Sequence, residues 1–157
     1  MIVWYITMVN VYTGILMDIQ PRAKEIICFK FGSEYESGGA GCISTVDDYI
    51  KFLEALRTGK ILKEKTIKLL ITNQLSDSQR KSYVIKDYGY GLGVRCPMDG
   101  SDISDFGWGG AAGSYLIIDI EKKITAFYAQ HVVDSPVQTI RQEIKSIIYS
   151  AWKIKHN

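Results

Sequence analysis

The chain has 157 residues, with 19 Lys and Arg against 17 Asp and Glu, a formal charge of +2, 46% hydrophobic and 23% charged residues. That length supports one domain with a real core and leaves too little for two independent ones, and the composition excludes a disordered chain. Lysines are spread along stretches such as KTIKLL and EKK rather than clustered among aromatics, so no nucleic-acid partner is expected.

The opening MIVWYITMVNVYTGILM is apolar, but it lacks a basic leading segment, and Thr7, Asn10 and Thr13 interrupt it. It reads neither as a signal peptide nor as a membrane span; one or two strands are expected, with a leftover apolar surface segment as the rival reading, and a cytoplasmic location is the default. Pro21, in DIQPRAKE, marks a turn or helix start, and IICFKF is consistent with a strand. Cys28, Cys42 and Cys96 are odd in number and far apart, which indicates neither a disulfide framework nor a zinc knuckle. His131 and His156 stand without a cysteine or carboxylate cluster, so no metal is expected.

ISTVDDYIKFLEALRTGKI is the clearest local element. Ser44 or Thr45 can cap a helix, Asp47 and Asp48 suit its first turn, and Gly59 stops it. Val46, Tyr49, Ile50, Leu53 and Leu56 recur at threes and fours and give one buried face. KEKTIKLLITNQL predicts a second helix with Ile67, Leu70 and Ile71 inward and Asn73 near its end; SDSQRKSYVIKD reads as a surface loop.

YGYGLGVR alternates glycine with larger residues and fits a strand over which something packs closely. CPMDGSDISD is a turn-rich connection. SYLIID (114–119) and ITAFYAQ (124–130), joined by IEKK, predict a hairpin. Asp134 or Ser135 then caps a last helix, with Pro136 in its first turn and Val137, Ile140, Ile144, Ile147, Ile148 and Ala151 as its apolar stripe. The expected class is α+β: an antiparallel sheet with a long C-terminal helix packed on it.

The stretch DFGWGGAAGSYLIIDIEKKITAFYAQH places Trp108, Gly109 and Gly110, then Ala111 and Ala112, directly before the hairpin. It resembles the last signature of the serine beta-lactamase and penicillin-binding protein family, in its class C and esterase-like branch. There a Lys-Thr-Gly triplet on the inner edge strand is often replaced by Trp-Gly-Gly. ESGGAGCISTVDDYIKFLEAL, TNQLSDSQRK and YGYGLGVR follow the same branch in order, so the resemblance runs from about residue 34 to 152. It implies a partial beta-lactamase-like domain over 34–157, with helices from the helical subdomain, preceded by an atypical segment over 1–33 that supplies replacement strands.

The resemblance also implies roles. Substrate would lie along the glycine edge, the Ala111 amide would be one oxyanion donor, and Trp108, Gly109, Gly110 and Ala112 would line the ligand site. A neutral aromatic at 108 favours a small ester or amide over a carboxylate-bearing ligand. An acyl-serine mechanism needs neither metal nor organic cofactor. The competing reading makes Trp108 simple core packing, and leaves Gly38, Gly39 and Gly41 as a tight loop.

The family reaction also requires Ser-x-x-Lys and a Tyr-x-Asn or Ser-x-Asn motif. The latter two are absent from the sequence, and Ser-x-x-Lys occurs only at Ser78/Lys81 and Ser150/Lys153, neither in an apolar helical context. Arg57–Thr58–Gly59 imitates the triplet but reads as a helix terminus. Ser114 follows the glycine edge and would need His131 beside it. Tyr88, Tyr90 and Tyr128 are phenols that strand packing explains. The expected object is a truncated, catalytically inactive member that self-associates through an open sheet edge or completes its site with another chain; the further alternative is a minimal acyl-serine esterase.

Overall fold

A computed structural model describes residues 44–110, 113–131 and 137–156. In chain order they form α1 (Val46–Arg57), α2 (Glu64–Leu70), α3 (Asp77–Ser82), β1 (Gly89–Tyr90), β2 (Arg95–Cys96), β3 (Asp105–Phe106), β4 (Gly113–Asp119), β5 (Ile124–His131) and α4 (Val137–His156). The class is α+β, and all strand pairing is antiparallel. Residues 1–43, and with them the expected N-terminal strands, Cys28 and Cys42, lie outside the described residues, as do the capping positions Asp134, Ser135 and Pro136.

β3, β4 and β5 form a three-stranded meander in which Ile117 faces Ala126 and Ile118 faces Thr125. Because side chains alternate across a strand, β4 supplies two cores at once. Tyr115 and Ile117, with Ile124 and Tyr128, pack against Ile144 and Ile148 of α4. Phe106 and Ile118 turn the other way and pack against Leu53 of α1 and Ile67 of α2, with Tyr49 and Phe127 at the margin. The sheet therefore carries a helical layer on each face. A polar tie crosses the second interface: the Thr125 hydroxyl donates to the Glu54 carboxylate at 2.8 Å, and Glu54 also pairs with Arg57.

α1 matches its sequence signals. Asp47 and Asp48 are exposed in its first turn, Ile50 and Leu53 are buried, and the helix closes in a Schellman arrangement. There the Lys60 N–H donates to the Ala55 carbonyl at 2.9 Å and the Gly59 N–H to Leu56 at 3.2 Å, with Gly59 at φ +74°. Arg57–Thr58–Gly59 is thus a helix terminus.

Four expectations need correction. SDSQRKSYVIKD is not wholly a loop: Ser76 and Gln79 form a reciprocal capping box that opens α3, which buries no side chain and so carries no apolar periodicity. α2 stops at Leu70, three residues before Asn73, whose side-chain oxygen accepts the Leu75 and Tyr90 amides instead. YGYGLGVR is not one strand but a hairpin, with Gly89 facing Cys96, a Gly91 N–H to Val94 carbonyl bond at 2.8 Å and Gly93 at φ +87°. On α4, Ile144 and Ile148 are buried, but Ile147 is 61% exposed because it falls outside the stripe facing the sheet.

Gly107 is the point at which the meander meets the β1–β2 hairpin. It exchanges both backbone bonds with Arg95, at 2.9 and 3.2 Å, and has φ +150°. A Cβ there would collide with the Leu116 carbonyl oxygen, which belongs to the backbone of β4 and cannot rotate away. Gly107→Ala is expected to destabilise the fold by at least about 2 kcal/mol, as a lower midpoint in urea unfolding with unchanged slope.

Candidate active-site edge

The pairing of β3 with β4 continues past Phe106 in the same register. Asp105 faces Asp119, Phe106 faces Ile118, and Gly109 still faces Tyr115. The Leu116 N–H donates to the Trp108 carbonyl at 3.0 Å and the Gly110 N–H to Ser114 at 2.8 Å. Successive residues of a strand turn their backbone groups to opposite sides, so the N–H and C=O of Gly107 and Gly109 are directed away from β4. Gly107 spends its pair on Arg95. Beyond it the β1–β2 hairpin turns back, and among the described residues no strand pairs with Gly109 on that side.

The edge is held from both faces. On the α4 side, the Arg141 guanidinium donates to the Gly110 carbonyl at 2.6 Å and to Ser114 at 3.0 Å, occupying the space a Cβ on Gly109 would need. On the opposite face, Trp108 is 37% exposed and packs edge-on against Tyr90 at 5.5 Å. The chain reverses directly after: the Gly113 N–H donates to the Gly110 carbonyl at 3.0 Å. Ala111 and Ala112, between them, lie outside the described residues.

Beneath the edge lies a polar network that sequence reasoning missed. Asp105, 1% exposed, accepts from Arg95 at 2.7 Å, from Lys145 of α4 at 2.7 Å and from the Tyr88 hydroxyl at 2.8 and 2.9 Å. Lys145 also donates to the Tyr88 oxygen. Arg95 donates onward to the Tyr115 hydroxyl and the Leu116 carbonyl, and its guanidinium lies 4.4 Å over the Tyr88 ring. Burial alone would raise the Asp105 carboxyl, but Arg95 and Lys145 outweigh it and hold it below the usual aspartate range. Burial pushes the phenols of Tyr88, Tyr115 and Tyr149 upward. Tyr88 and Tyr115 are therefore protonated structural groups, not proton acceptors.

The serine candidates are not brought to the edge as a catalytic set. Ser78 and Lys81 are exposed on α3, and Ser150 and Lys153 are exposed on α4. Ser114 starts the core strand beside Gly110, and His131 pairs by its backbone with neighbouring Gly113, its side chain being outside the description. Tyr128 is buried in the α4-side core. One serine–lysine contact was not foreseen: Lys122 donates to Ser104, which in turn donates to Asp119 at 2.6 Å. Asp119 is fully buried and also accepts from the Tyr149 hydroxyl at 2.7 Å and the Lys122 amide at 2.8 Å, so this cluster closes the β4–β5 turn. Among the described residues no group of three or more His, Cys, Asp or Glu could hold a metal ion, and no helix is long and apolar enough to cross a membrane.

Two outcomes follow from the network. Asp105→Asn leaves Arg95 and Lys145 facing each other without an anion and is expected to cost about 3–5 kcal/mol in urea unfolding. Raised phenol pKa values stabilise the fold below the ordinary tyrosine value of about 10, and that contribution is lost as pH climbs above it. Phenolate absorbance from Tyr88, Tyr115 and Tyr149 should therefore appear only together with unfolding; ionisation of all three in a chain that stays folded would contradict the burial argument. The depressed Asp105 value acts at the other extreme, stabilising above about pH 3.8 and failing as pH falls through the lower folded value.

No curated protein matches the sequence. The model of the family described as Beta-lactamase matches residues 10–145, most of the chain, and its span includes α1, the Trp108–Gly110 edge, the hairpin and the first half of α4. By that match and by the α+β architecture around the edge, the chain belongs to the beta-lactamase family.

Proposed function

We propose that this chain is an esterase-like member of the serine beta-lactamase and penicillin-binding protein family that presents the substrate-aligning edge of an acyl-serine site without carrying the nucleophile. The observation that carries the reading is the backbone of Gly109, paired to β4 through its neighbours and without a partner among the described residues on the other side. An extended ester or small amide can lie along such an edge in the plane of the sheet, where the Gly109 N–H and C=O are directed. In this reading the Ala111 amide is one donor of an oxyanion hole, and Trp108 and Ala112 line the site. The glycine edge stands in the Trp-Gly-Gly form of the family's Lys-Thr-Gly triplet.

An oxyanion donor alone stabilises a charge that never forms unless a nucleophile attacks. Both Ser-x-x-Lys pairs of the sequence are solvent-exposed, outside any buried catalytic setting, and no Tyr-x-Asn occurs in the 157 residues. The second reading is that the edge completes a site with a complementing chain or a second copy. The Gly109 backbone, without a partner among the described residues on the side away from β4, favours it, because an open strand edge is a template for pairing. No cofactor enters either reading.

Intact mass after incubation with a fluorophosphonate, with a penicillin in parallel, tests the proposal. The expected spectrum is the unmodified mass from a folded sample. A stoichiometric adduct mapped to one serine would overturn it and name the nucleophile.

A further inference from the structure

Three aromatic rings run from α3 to the glycine edge. Tyr83, directly after α3, packs edge-on against Tyr90 at 6.0 Å, and Tyr90 packs edge-on against Trp108 at 5.5 Å with the planes 68° apart. The rings are brought together from positions 83, 90 and 108 by the β1–β2 hairpin and by the Arg95–Gly107 bridge that docks it beside the edge. Edge-to-face packing uses the rim of one ring and one face of the next. The last ring of the series, Trp108, is 37% exposed and sits next to Gly109, whose backbone has no partner among the described residues on the side away from β4.

Charge separates this series from the aromatic rings of the buried polar network and its surroundings. Tyr88, Tyr115, Tyr149 and Trp152 each have a lysine or arginine over the ring at 4.4–5.9 Å. Among the described residues no cation stands over Tyr83, Tyr90 or Trp108, and Arg141 lies on the other face of the strand, committed to the Gly110 and Ser114 carbonyls. Ring faces are negative and rims positive. An uncompensated aromatic surface of this kind repels an anion and accepts the rim or the offset face of another neutral ring. Next to it the Gly109 N–H and C=O offer one donor and one acceptor, the complement of a secondary amide.

We propose that Tyr90 and Trp108, backed by Tyr83, form a subsite for a planar, uncharged aromatic group of the ligand, whose amide or ester unit pairs with the Gly109 backbone. The proposal rests on the reading of the Trp108–Gly110 run as a ligand edge and names the class of ligand it takes: aryl amides and aryl esters rather than small aliphatic or carboxylate-bearing ones. The geometry makes Trp108 and Tyr90 specificity residues, with no part in bond making.

The test is titration of the isotopically labelled protein, followed by amide and indole shifts, with four probes: acetanilide, N-cyclohexylacetamide, N-methylacetamide and benzoate. Acetanilide is expected to saturate with shifts at Gly109 and the Trp108 indole, and to bind about two- to tenfold more tightly than N-cyclohexylacetamide, the range one aromatic pair supplies. N-methylacetamide and benzoate should be weaker still. Trp108→Leu and Tyr90→Leu, checked for retained dispersion of the spectrum, should remove the preference for acetanilide over the cyclohexyl compound and leave weak amide binding at Gly109. Equal affinity for the phenyl and cyclohexyl probes, unchanged preference in Trp108→Leu, or no saturable shift at the edge with any probe would each overturn the proposal. The fluorophosphonate experiment separates the two levels: an adduct removes the claim that the chain lacks a nucleophile and leaves the probe order standing, whereas a silent protein with a flat probe order removes the aromatic subsite alone.

Discussion

The Asp105 carboxylate is the junction on which the described structure depends. It is buried on β3 and receives hydrogen bonds from Arg95 on β2, from Tyr88 just before β1 and from Lys145 on α4. One anion thus fixes the β1–β2 hairpin, the meander and the closing helix against each other. Two cations share it, an imbalance that would be costly in an apolar interior. The excess is spread over the Tyr88 and Tyr115 rings and the Leu116 carbonyl, each of which takes part of the Arg95 or Lys145 charge. Such a cluster works as a unit, since a partner lost at one point strands charge at another.

The glycine edge inherits its position from this junction. Arg95 bonds Asp105 by its side chain and Gly107 by its backbone, so the residue that completes the buried ion pair also sets the height at which the hairpin leaves the edge. Gly107 permits the close approach to Leu116, and Arg141 then grips the following turn at Gly110 and Ser114. On the side away from β4, the Gly109 backbone has no partner among the described residues. In the function proposed above, such an edge suits a ligand that is itself extended backbone or resembles it.

The elements that read correctly from sequence are those whose burial is periodic. α1 shows threes and fours with a glycine stop, and the two apolar runs around IEKK could scarcely be anything but a hairpin. α3 was hidden because a capping box holds it while it buries nothing, so it leaves no hydrophobic signature. The hairpin of β1 and β2 was hidden because its glycines looked like strand glycines; only the positive φ of Gly93 distinguishes them, and φ is not written in composition. The polar network joins residues ten and fifty-seven positions apart and has no local pattern. Its available trace was a charge where none belongs: Arg95 between Val94 and Cys96, and Asp105 against Phe106. The Trp108–Gly110 run was found by likeness to a family, and its register, not its wording, then showed which side is open.

The Thr125–Glu54 hydrogen bond has a consequence for assembly. It joins residues 71 apart, whereas the β4–β5 turn brings Asp119 and Ile124 together across a few positions. Ring-closure entropy rises with the logarithm of the span, so seating α1 on the sheet costs about 2 kcal/mol more chain freedom than closing the hairpin. The meander and α4 are contiguous in sequence and can condense through near neighbours, presenting the Phe106, Ile118 and Phe127 face before α1 arrives. The half of the molecule that carries the glycine edge is thus also the half that sequence proximity lets form first, and α1 closes over a surface already shaped to receive it.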